Sequence, residues 1–63
     1  MLIIKSYAGL GYLIMAAFKD GVRISERYTV SHETAFQYHR ETGRNISELL
    51  KATITDDHKR GLF

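Results

Sequence analysis

An Asp-Gly pair, Asp20-Gly21, stands between two strand-forming segments and restricts the fold more than any other feature of the chain. Both central positions of a two-residue type I′ turn need positive φ, which glycine adopts freely and aspartate tolerates. Tyr12-Leu-Ile-Met-Ala-Ala-Phe18 precedes the pair and Val22-Arg-Ile-Ser-Glu-Arg-Tyr-Thr-Val30 follows it. The pattern predicts a β-hairpin. If Asp20 and Gly21 are the whole loop, Lys19 opposes Val22, Ala17 opposes Ile24, Met15 opposes Glu26 and Leu13 opposes Tyr28. These residues share one face, because side chains alternate strictly along a strand. The other face carries Phe18 opposite Arg23, Ala16 opposite Ser25, Ile14 opposite Arg27 and Tyr12 opposite Thr29. The first face is mostly apolar and suits a core, with Leu13, Met15, Ile24 and Tyr28 turned inward. The second mixes aromatic rings with two arginines and two hydroxyls.

Leu2 to Tyr7 reads as a further strand, separated from the hairpin by the loop Ala8-Gly9-Leu10-Gly11. After the hairpin, Ser31 has the character of a helix N-cap, and Glu33 falls in the first turn, where the helix dipole favours a carboxylate. The predicted helix runs from His32 to Thr42 and stops at Gly43, a residue suited to the left-handed position beyond a helix end. Ala35, Phe36 and His39 form its stripe, flanked by Tyr38. Asn45 and Glu48 have capping-box spacing, and Ile46, Leu49, Leu50 and Ile54 form the apolar stripe of a second helix. Phe36, Leu49 and Leu50 are expected to pack on the inner face of the hairpin. From Thr55 onward the chain reads as a frayed polar tail. The expected fold is α+β: one small domain over residues 1–55, a β-hairpin or three-stranded antiparallel sheet followed by two short helices (β-β-β-α-α), then a polar tail over 56–63.

The length of 63 residues permits one domain. A chain this short buries only about 60% of the surface it exposes when unfolded, so its core is marginal. Small scaffolds add disulfides, a metal or a partner subunit. Cysteine is absent, which removes disulfides and thiolate metal sites. The three histidines, His32, His39 and His58, are too scattered for a structural zinc site. A homodimer is the remaining expectation. Met1 to Phe18 is apolar apart from Lys5 and Ser6, but about 20 apolar residues are needed to span a bilayer. Lys19-Asp20-Gly21 also stands where a signal-peptide cleavage site would be. The segment therefore reads as buried strands, and the chain as cytoplasmic with no membrane partner.

Thr42-Gly43-Arg44-Asn45-Ile46-Ser47-Glu48-Leu49-Leu50-Lys51 resembles the turn and second-helix start of ribbon-helix-helix DNA-binding proteins, over roughly residues 22–55. In that family a strand precedes two helices, and two chains pair their strands into a ribbon that enters the major groove. The resemblance implies a small dimeric, DNA-binding regulator of transcription. Arg23, Ser25, Arg27 and Thr29 alternate on the strand before the first helix, where the resemblance places base-reading side chains. It also implies a phosphate held by the amides around Ile46 and Ser47, with Arg44 close by. Here the first helix is about one turn shorter than the family pattern, and the hairpin gives the reading strand a partner within its own chain.

The face bearing Tyr12, Ile14, Phe18, Arg23 and Arg27 also has a reading that needs no family. Aromatic rings beside arginines suit stacking and backbone contacts with nucleic acid, and they equally suit a protein interface. The alternative to a DNA regulator is accordingly a phage- or plasmid-type accessory protein that binds and modulates a host protein. A net charge of +2 fits either partner. There is no nucleophile paired with a base, no phosphate-cradling glycine loop and no cofactor motif. Asp56-Asp57 lie in the polar tail with no pocket to shift their titration. A binding protein without enzyme activity, cofactor, metal or small-molecule substrate is expected.

Overall fold

The computed structural model describes residues 2–63; Met1, the first residue of the apolar run, lies outside the described residues. Four strands form one antiparallel sheet: β1 (Leu2–Gly9), β2 (Tyr12–Lys19), β3 (Val22–Arg23) and β4 (Tyr28–Ser31). Two helices follow, α1 (His32–Thr42) and α2 (Ile46–Lys59). The architecture is α+β, a sheet of three to four strands followed by two helices. β2 is central, with β1 on one side and both β3 and β4 on the other. The apolar first third of the chain is thus a strand pair. Among the described residues no helix is long and apolar enough to cross a membrane.

The turns follow local chemistry. Asp20 has φ 53° and Gly21 φ 79°, both positive as a type I′ turn requires. Lys19 opposes Val22 and Phe18 opposes Arg23, as expected. β1 runs on through Ala8 and Gly9, so the first connection is only Leu10-Gly11.

Beyond Arg23 the hairpin departs from the simple register. Met15 opposes Tyr28 rather than Glu26, Leu13 opposes Val30 rather than Tyr28, Ile14 opposes Thr29 rather than Arg27, and Tyr12 opposes Ser31 rather than Thr29. The segment Ile24–Arg27 bulges out across from Ala16 and Ala17, and it shifts all later pairing by two residues. Because the shift is even, the paired residues of β4 keep the face expected of them, while Ser25, Glu26 and Arg27 leave the ladder. The Ser25 side chain makes the bulge possible. Ile24 N–H donates to the Ala17 carbonyl at 2.9 Å, but Ala17 N–H donates to Ser25 Oγ at 2.8 Å in place of a backbone carbonyl. Ser25 Oγ donates onward to the Glu26 carbonyl, and Arg23 Nη1 donates to the Ser25 carbonyl at 2.8 Å.

Both helices lie on one face of the sheet. α2 packs against β2, and α1 packs against β4 and α2. Met15, Ala17 and Ile54 are the buried centre, with Leu2, Ile4, Ile24, Tyr28, Leu50 and Phe63 packed around them. Burying Ile54 fully is worth about 1.5–3 kcal/mol. The extents of 34 × 24 × 16 Å correspond to one helical layer on one sheet.

Three helical expectations need correction. Phe36 is 70% exposed and Leu49 46% exposed, so neither packs on the hairpin. α1 instead turns Ala35 and Tyr38 inward, and α2 turns Ile46, Leu50 and Ile54. The stripe of α2 continues past Thr55, because Tyr28 Oη donates to Asp57 Oδ2 at 2.6 Å. Asp56 to Lys59 are therefore helical rather than a frayed tail, and Phe63 folds back to the core. Ser31 caps α1 as expected, accepting from Thr34 N–H at 3.1 Å, and Gly43 ends that helix at φ 73°. Asn45 occupies the cap position of α2 without a side-chain cap bond, so the capping box does not form.

Candidate functional site

Strand alternation assigns the two faces once the core is known. Met15, Ala17 and Leu13 point to the helices, so Tyr12, Ile14, Ala16 and Phe18 point away from them. Register places Ile3, Lys5 and Tyr7 of β1, Arg23 of β3 and Thr29 of β4 on that same open face. Tyr12 is 51% exposed, Tyr7 45% and Ile3 48%, on a face that neither helix covers, although Ala16 on the same face is buried. Tyr7 meets Phe18 edge-on, with ring centroids 6.5 Å apart. Lys5 Nζ lies 4.7 Å from the centre of the Phe18 ring, a cation–π contact that holds the ammonium over the aromatic patch. The strand positions of this face carry Lys5 and Arg23 but no aspartate or glutamate.

The residues singled out from the sequence divide into separate groups. Tyr12 and Phe18 share the open face with Arg23 and Thr29. Ser25 does not join them: it is only 5% exposed and spends its hydroxyl on Ala17 and Glu26. Arg27 is exposed within the bulge. The four residues Arg23, Ser25, Arg27 and Thr29 consequently do not present one uninterrupted row, because the bulge breaks the strand between β3 and β4. Ser47 lies across the sheet from Tyr12 and Phe18, lining a cleft with Ser6, Leu13, Ala35, His39 and Ile46 on the helical side. Arg44 is exposed in the link between the helices, its N–H donating to Thr42 Oγ1 at 3.1 Å. The α2 N-terminus and the aromatic face are thus two surfaces on opposite sides of one sheet.

Lys5, Tyr7 and Ile3 were absent from the candidate set although the sequence holds their signal. They alternate along β1, and the short Leu10-Gly11 turn pairs them with Ala16, Ile14 and Phe18. The same alternation that places Tyr12 and Phe18 on the open face places these three there too. Elsewhere, no three histidine, aspartate or glutamate side chains converge among the described residues. The strongest perturbation of an ionisable group belongs to Tyr28. Its hydrogen bond to Asp57, with burial second, pushes the phenol up to about 12. Tyr28 ties β4 to α2 on the helical side, so this shift belongs to the scaffold. Comparisons with protein-family models, curated protein sequences and solved structures give no match for this chain.

Proposed function

We propose that this chain is a small nucleic-acid-binding protein that holds a single strand on the open face of its sheet. One observation carries the reading: exposed Tyr7 and Tyr12, with half-buried Phe18, share a face that neither helix covers with Lys5 and Arg23 and with no carboxylate at its strand positions. Exposed rings stack on bases whatever their identity, and adjacent cations follow the phosphates. The width of the face favours a single strand over a duplex. The major groove admits a helix or a two-stranded ribbon. Here β1, β2 and β3 or β4 lie side by side, about 10 Å between outer strands at the usual spacing, with helices behind. Unpaired bases can lie flat on such a surface, as they do on other aromatic sheet faces. Ribbon-type duplex readout by Arg23, Arg27 and Thr29 is the second form of the proposal, and it rests on their exposure at the β3/β4 edge.

Fluorescence anisotropy with labelled single-stranded and duplex oligonucleotides tests the reading. Single strands should bind at low salt, and Tyr12→Ala should weaken them by about 1–3 kcal/mol, the worth of one stacked base. Duplex binding that is stronger and indifferent to Tyr12 would favour the ribbon form. Absence of any binding at low salt would leave a host protein as the partner. Ile3 and Ile14 add aliphatic surface to the same face, which suits that role.

A further inference from the structure

The two edges of the sheet differ sharply. The β3/β4 edge is broken: two residues, a bulge, then four residues. Bulges and short strands are the usual means of preventing edge pairing. The β1 edge is eight residues long, without proline or bulge. Its free hydrogen-bonding groups follow from the other ladder. Ala17 directs both its N–H and its carbonyl toward the β3 side, and Gly11 accepts from His32 N–H on that same side. Odd-numbered residues of β2 therefore face β3 and β4, and even-numbered ones face β1. The β1 partners of those even residues are Ile3, Lys5, Tyr7 and Gly9. Leu2, Ile4, Ser6 and Ala8 are left with N–H and carbonyl groups pointing outward. Among the described residues, none of the turn, cap or side-chain hydrogen bonds reaches those groups.

We infer that this edge is a self-pairing site, at which β1 of a second copy adds antiparallel about a two-fold axis passing through Ser6. A two-fold relating antiparallel neighbours stands perpendicular to the sheet, so both helical layers stay on one side and the two aromatic faces merge on the other. Only axes through Lys5 or Ser6 keep nearly all of β1 paired, and charge selects between them. Centring the axis on Lys5 would set Lys5 against its own copy, and like charges directly opposite destabilise a sheet. Centring it on Ser6 sets Lys5 opposite Tyr7, a cation beside an aromatic ring, and Ile4 opposite Ala8 on the helical side. The second copy also answers a deficit in the monomer. Among the described residues its buried apolar side chains are Met15, Ala16, Ala17 and Ile54, two of them alanines, while Leu2 and Ile4 on the edge strand are only half-buried. A net charge of +2 per chain opposes association only weakly. The inference does not depend on what the open face binds.

Sedimentation equilibrium over a wide concentration range should give twice the chain mass, and hydrogen exchange should show Ile4, Ser6 and Ala8 amides protected in the concentrated sample and free on dilution. Ser6→Pro removes an outward N–H and leaves the bonds to β2, so it should halve the mass with an unchanged circular dichroism spectrum. Tyr12→Ala should leave the mass unchanged. A wild-type protein that stays monomeric to about 1 mM overturns the inference. So does a dimer whose Ile4, Ser6 and Ala8 amides exchange freely, or one that Tyr12→Ala dissociates. The exchange measurement uses the unaltered protein and decides the matter even where Ser6→Pro fails to fold.

Discussion

The Ser25 hydroxyl occupies the place of a ladder carbonyl opposite Ala17 and accepts its buried N–H. Ser25→Ala should therefore cost about 1–3 kcal/mol, the penalty for a buried donor left unpaired, measured by urea denaturation. Tyr28 gives a prediction in pH. Its phenol is raised from 10.0 to about 12 because the protonated form donates to Asp57. A raised folded-state value means the contribution is complete below pH 10 and is lost as pH climbs from 10 toward 12. Tyr28→Phe should be less stable than wild type at neutral pH, and the gap should close across that window. Denaturation midpoints of both proteins taken side by side cancel the titration of lysines common to them.

At the scale of elements, α2 holds the fold together and α1 contributes less. α2 seats Ile54 against Met15 and Ala17, brings Leu50 and Phe63 onto the same cluster, and anchors Tyr28 through Asp57. None of the residues of α1 is buried. Ile54→Ala should cost about 2–5 kcal/mol, a large part of the stability of so small a domain. Phe36→Ala should stay within about 0.5 kcal/mol, since the ring is mostly in solvent. Thermal melts of the two variants give the comparison directly. A reversed order would mean that the helices pack on the sheet differently.

For the whole molecule, the two sides of the sheet have separate tasks. The helical side supplies stability and the open side supplies surface. Lys5 illustrates the separation: it is exposed, stands over Phe18, and lies outside the core cluster. Neutralising it as Lys5→Gln should cost no more than about 1 kcal/mol of stability, the worth of an exposed cation–π contact. If it contacts one phosphate of a bound single strand, the slope of log affinity against log salt should flatten by about 0.7. Titrations at several salt concentrations measure that slope.

The features legible in the chain before any packing is known are local ones. Positive φ at Asp20-Gly21, the Ser31 cap and the Gly43 stop each depend on chemistry within a few residues. The two-faced division of the hairpin also held at the paired positions, since an even shift leaves alternation intact, but not for Ser25, Glu26 and Arg27 in the bulge. The bulge at Ile24–Arg27 was not legible, because no glycine or proline marks it and its stabilising bond joins Ser25 to Ala17 on another strand. The tertiary structure alone decided that Phe36 and Leu49 face solvent. Helical periodicity places apolar residues on a stripe, but the angle at which a helix meets the sheet chooses which edge of the stripe is covered. It also decided that α2 continues through Asp57, where a polar residue reads as tail until Tyr28, 29 positions earlier, is brought within hydrogen-bonding distance. Such contacts are set by where distant segments pack, and no window of neighbouring residues contains that information.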